Sequence, residues 1–101
     1  MRIAMFMQWD GIKPQHYEEL RKTVNWEENT PDGAVFHMAA FTTTGIKVSD
    51  VWESEKDFNN FLQNRLMPGV KKAGIKGEPK VEIYPLHTIF APAFEEEKKM
   101  H

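Results

Sequence analysis

The stretch 48–68, VSDVWESEKDFNNFLQNRLMP, constrains this chain more than any other, because it changes from strand to helix periodicity within a few residues. Up to Trp52 apolar and polar residues alternate, the period-2 pattern of a strand. Ser54 then offers a side-chain oxygen to the first free N–H groups of a helix. Glu55 and Asp57 add negative charge at the positive end of the helix dipole, and Ser54 with Asp57 forms a near capping box. Phe58, Phe61, Leu62 and Leu66 follow on one side of that helix. Pro68 has no N–H to donate, so the helix is expected to kink or restart before Gly74.

The rest of the chain supplies elements of matching size. In residues 2–8, Ile3, Met5 and Met7 alternate with Ala4 and Phe6, giving a strand with two mostly apolar faces, which belongs in the middle of a sheet. Pro14 suits a first helical position, and Tyr17, Leu20 and Val24 make a narrow apolar stripe behind it. Residues 25–33 are polar apart from Trp26, and Pro31-Asp32-Gly33 closes them with a turn. Trp26 reads as a lid over the core or a partner contact. Two apolar runs, 34–41 and 46–52, flank Thr42-Thr43-Thr44-Gly45 and read as a hairpin. Residues 80–86 alternate once more, and Pro85 must sit at a strand end or a sheet edge. The order β-α-β-β-α-β with right-handed crossovers gives an α+β, ferredoxin-like fold. It has a four-stranded antiparallel sheet with both helices on one face.

Such a sheet leaves its second face bare. Met5 or Phe6, together with Phe36, Met38, Val51, Tyr84 and Leu86, makes that face apolar, and monomers rarely keep such a patch in water. A homodimer through the open face is therefore expected, all the more because a chain of 101 residues forms one modest core. Residues 1–90 are assigned to that single domain and 91–101 to a charged tail, solvated along Glu95 to Lys99 and anchored only by Phe94. Thirteen Lys and Arg against fifteen Asp and Glu leave no basic excess for phosphates, so nucleic acid is not expected as a partner. No apolar run approaches the about 18 residues that span a bilayer. The absence of cysteine fits a reducing compartment, and a cytoplasmic location away from membranes is expected.

At Val51-Trp52-Glu53-Ser54-Glu55, followed by Phe58 and Phe61, the chain resembles the dimeric α+β barrel superfamily, which includes antibiotic-biosynthesis-type and haem-degrading monooxygenases. The resemblance covers residues 2–90 in element order. It implies a ferredoxin-like protomer, a dimer packed sheet against sheet, and a ligand cleft between sheet and helices with Trp52 in its wall. It does not imply one reaction, since function on a shared fold lives in the site. The haem-degrading members carry a histidine ligand on the second helix, and residues 55–73 contain none. Haem degradation is thereby disfavoured; His37 or His87 would have to replace that ligand.

A candidate site follows from the hairpin register. If Phe41 pairs with Ile46, then Ala39 faces Val48, His37 faces Asp50 and Val35 faces Trp52 on one side of the sheet. A helical step of about 100° per residue puts Arg65 inside the apolar stripe of the second helix, aimed at the same sheet face. In the functional reading Asp50 orients His37, His37 moves a proton, Arg65 holds an anionic oxygen and Trp52 stacks on a planar ring. In the alternative reading the same groups satisfy one another as a buried polar cluster.

His16 reads as a surface residue. Four scattered histidines do not make a metal site, because His37 and Asp50 would still need a third ligand. Phosphate-cradling loops, nucleotide fingerprints and nucleophile elbows are absent, and no cofactor is expected. Two functions remain open: a small-molecule-binding, cofactor-independent monooxygenase-like or isomerase-like enzyme acting on a planar oxygen-rich or phenolic compound, or a non-catalytic dimeric module for a metabolite or a protein.

Overall fold

In β1 (Ile3–Asp10) alternate side chains are buried, and the fold is organised around that strand. A computed structural model describes residues 1–94 of the chain; the charged run Glu95 to Lys99 lies outside the described residues. The elements run β1, α1 (Pro14–Val24), β2 (Ala34–Phe41), β3 (Gly45–Trp52), α2 (Glu55–Phe61), a π-helical turn (Leu62–Leu66), α3 (Met67–Lys72) and β4 (Lys80–Pro85). The strands form one antiparallel sheet in the order β2-β3-β1-β4, so β1 is central, as its two apolar faces require. Pro85 ends β4, which is an edge strand, and no ladder bond is lost to it.

The ambiguity between Met5 and Phe6 is resolved by pairing. Met5 lies between Asp50 and Ile83 on the inner face, while Phe6 lies between Ser49 and Glu82 on the outer one. Ile3, Met5, Met7 and Trp9 form the core with Leu20 and Val24 of α1, Phe58 of α2 and Val70 of α3. Leaving the outer face are Phe6, Met38 and Tyr84, each about half exposed. The ring of Phe94 covers part of it, edge-on to Phe36 at 6.0 Å.

Local signals set most element boundaries. Pro14 is the first residue of α1, and the half-buried His16 has work to do there: its Nδ1 accepts the Lys13 N–H at 3.0 Å. Asn25 ends α1 in the left-handed conformation, its N–H donating to the Arg21 carbonyl. Ser54 Oγ accepts the Asp57 N–H at 3.1 Å and starts α2. Gly45 cannot be replaced without moving β1, since a Cβ there would lie 2.2 Å from the Trp9 carbonyl oxygen.

One detail departs from the sequence expectation and another gives it a specific form. The hairpin register holds from Phe41–Ile46 through His37–Asp50 to Phe36–Val51, and then a bulge skips Val35, so that Ala34 and not Val35 lies opposite Trp52. The expected break before Gly74 takes the form of a π turn. The Met67 N–H donates five residues back to Leu62, and α3 restarts with Pro68 in its first turn, where a missing N–H costs nothing.

Candidate functional site

A cavity of about 250 Å³ lies between the inner face of the sheet and the helices. Met5, Met7, Ile46 and Val48 form its floor, Leu20, Phe58, Phe61 and Leu66 its helical side, and Trp26, Thr30 and Pro31 of the 25–33 loop its rim. The wall is apolar except where α1, β2 and β3 bring Tyr17, His37 and Asp50 together, with Glu27 at the rim.

Tyr17, His37 and Asp50 form one continuous hydrogen-bonded chain with Trp52. Trp52 Nε1 donates to Asp50 Oδ2 at 3.1 Å, Asp50 Oδ1 lies 2.7 Å from His37 Nδ1, and His37 Nε2 lies 2.8 Å from the Tyr17 hydroxyl. The donor inventory assigns the protons. An indole nitrogen can only donate and a carboxylate can only accept, so Asp50 takes one hydrogen from Trp52 and one from His37 Nδ1. Neutral His37 then carries its lone pair on Nε2, and Tyr17 donates to it. Asp50 is 6% exposed, and among the described residues no buried side-chain nitrogen or oxygen lacks a partner. Its charge is tolerable inside because both oxygens are matched.

Around this chain sits a collar of rings. The Tyr17 and His37 planes are parallel at 6.1 Å, Trp26 meets His37 edge-on at 5.5 Å, and Phe41 meets Tyr17 edge-on at 6.0 Å. Burial pushes the Tyr17 hydroxyl above its ordinary pKa, with Arg21 opposing and Glu18, Glu27 and Asp50 adding to the rise. Glu27 itself is held below the usual carboxylate range, chiefly by its hydrogen bond from Arg21. That bond ties the cavity rim to α1.

Of the four residues singled out by sequence, three lie together. His37 and Asp50 are cross-strand partners, and Trp52 stands two residues along the same inner face. Trp52 is buried against Phe58 and Phe61, with its N–H already committed to Asp50. Arg65 is elsewhere. Its Nη2 donates to the Val24 carbonyl at 2.8 Å and its guanidinium lies 5.5 Å over the Phe61 ring, outside the cavity wall. The π turn widens the helical step around residue 65, so a wheel drawn at α-helical spacing aims this side chain wrongly.

Sequence reasoning missed the part played by Tyr17. Its signal was a hydroxyl in the apolar stripe of α1, which needs a partner once the stripe meets the sheet. His87 is not in the cavity wall, and among the described residues no three His, Cys, Asp or Glu side chains gather to hold a metal ion. No described helix is long and apolar enough to cross a membrane.

No protein-family model matches the sequence, and no curated protein matches it. Solved structures do. The NE2512 protein of unknown function from Nitrosomonas europaea aligns with a TM-score of 0.66 and 16% identity over 90% of this chain and 94% of its own. A variant of SnoaB, a cofactor-independent oxygenase from Streptomyces nogalater, aligns at 0.64 and 12% identity over 87% and 95%. A monooxygenase from the gene ActVA-Orf6 of Streptomyces coelicolor, in complex with the ligand nanaomycin D, aligns at 0.57 and 15% identity over 90% and 91%. At such identities the likeness is one of fold. The chain shares the ferredoxin-like α+β fold of these structures, the fold that the resemblance at Trp52 implied.

Proposed function

We propose that this chain binds a planar, oxygen-rich or phenolic small molecule in the cavity beneath α1 and acts on it as a monooxygenase-like or isomerase-like enzyme without a bound cofactor. One observation carries this reading: an oriented His37–Asp50 pair stands at the wall of an otherwise apolar cavity. Asp50 holds the His37 Nδ1–H, which leaves the Nε2 lone pair facing the Tyr17 hydroxyl at the cavity wall, and stabilises the imidazolium that forms when His37 accepts a proton. A deprotonated phenol is electron-rich. It can react with dioxygen as the external oxidant, or be reprotonated at a different atom, and these two fates separate oxygenation from isomerisation. Trp52 positions Asp50 and closes the back wall, while Arg65 braces the end of α1 from behind. An open cavity, where a filled cleft would have suited a non-catalytic module, favours a ligand.

Fold-level analogy adds weight, since SnoaB is a cofactor-independent oxygenase and the Streptomyces coelicolor monooxygenase was crystallised with nanaomycin D. The reading includes a homodimer through the outer sheet face, where Phe6, Met38 and Tyr84 form an apolar patch. A folded monomer at micromolar concentration in sedimentation would remove the dimer.

To test the activity, the purified protein is incubated with mono- and bicyclic phenols and naphthols while dissolved oxygen and product mass are followed. Turnover is expected from the native chain and not from His37→Ala. Undiminished turnover by that variant would overturn the role given to His37.

A further inference from the structure

We propose that Tyr17 is a catalytic residue of this cavity: its hydroxyl accepts the proton of a mono- or bicyclic phenol while passing its own proton to His37 Nε2. This deepens the proposed function and rests on it.

Both Asp50 oxygens are occupied, one by Trp52 Nε1 and one by His37 Nδ1. The lone pair of His37 faces Tyr17 at 2.8 Å, so the base of the site is covered by a tyrosine hydroxyl. That hydroxyl has one proton, given to His37, and two lone pairs. Among the described residues His37 is its one hydrogen-bond partner, and Tyr17 lines the cavity. A ligand O–H entering the cavity therefore meets the Tyr17 oxygen at the end of the chain, with the His37 lone pair behind it.

The balance is simple. The ligand O–H bond breaks, its proton forms the new Tyr17 O–H, and the former Tyr17 proton forms the His37 Nε2–H bond. Tyrosine ends neutral, the ligand is a phenolate, and the imidazolium is paired with the Asp50 carboxylate. Tyr17 never carries a free charge, in keeping with its half-buried setting.

Size and shape narrow the ligand. A cavity of about 250 Å³ falls just under the roughly 300–1,000 Å³ of drug-sized pockets, which suits one or two fused rings. Trp26 also lines the cavity, 5.6 Å from the Tyr17 ring, and offers a flat apolar surface beside the relay for such a ring.

The test uses p-nitrophenol, whose phenolate absorbs at longer wavelength than the phenol, at a pH where the free compound is mostly protonated. Bound to the native protein it is expected to show the phenolate band. Tyr17→Phe keeps the ring contacts and is expected to bind within about threefold of the native protein but to lose the band at least tenfold, and His37→Gln should lose it likewise. A phenolate band unchanged in Tyr17→Phe overturns the relay. Binding to the native protein without the band also overturns it, while leaving the ligand-binding reading intact. No binding of p-nitrophenol at millimolar concentration overturns both.

Discussion

The two faces of the sheet come from the same strands and alternate residues, yet they differ in what they leave unfinished. The inner face buries Met5, Met7 and Trp9 under helices and sets aside one patch for the hydrogen-bonded chain from Trp52 to Tyr17. The outer face presents Phe6, Met38 and Tyr84, with Phe94 laid against it at Phe36. Polar groups on the inner face are matched within one chain, whereas apolar groups on the outer face are not. Under the proposed function the contrast would separate two tasks, with ligand chemistry assigned to the inner face and association to the outer one.

Substitutions can break that separation, and the largest expected effect is on chemistry. Asp50→Asn conserves volume but removes the charge that orients His37 and stabilises its imidazolium. Turnover of whichever naphthol the native chain consumes should fall about 10²- to 10⁴-fold, the usual contribution of a positioned acid or base. A loss within threefold would mean that the pair is purely structural. Next comes packing: Phe58 is 1% exposed and bridges core and cavity, so Phe58→Ala should cost about 3 kcal/mol in urea unfolding. The value lies at the low end for a phenylalanine because one side of the ring already borders open space.

On the other face, Phe6→Glu should weaken association at least tenfold in sedimentation while leaving ligand binding in place. Equal loss of both would join the tasks that the two faces divide. The smallest expected effect is on alkaline stability. Burial raises the Tyr17 pKa above 10.0, so the folded state holds that proton more tightly than the unfolded one. The resulting contribution is fully present below about pH 10 and is lost as pH rises through the folded-state value. Glu18, Arg21, Glu27 and Asp50 share its field. Exposed Tyr84, raised by its hydrogen bond to Glu82, loses its contribution in the same direction. Only the Tyr17 share should vanish in Tyr17→Phe, read as a shallower loss of stability in thermal melts above pH 10.

Much of the fold was legible because its signals are local. Thr42-Thr43-Thr44-Gly45 set the hairpin register and brought His37 beside Asp50, Ser54 announced α2, and the alternation in β1 marked a central strand. Tertiary distance hid the rest. Val35 sits in a continuous apolar run, so nothing in its chemistry marks the bulge that skips it. Arg65 was aimed by an ideal α-helical step, and the helix relieved the demands of Pro68 with a π turn instead. Tyr17 looked like one more apolar contact because its partner is on another element, 20 residues away in sequence.

The most direct test of the central claim is the protonation state of His37 itself. Nitrogen-15 NMR of the imidazole should show Nδ1 protonated and Nε2 bare in the free protein, and both nitrogens protonated once p-nitrophenol is bound. An Nε2 resonance that stays unprotonated in the saturated complex would contradict a cavity built to take a proton from its ligand.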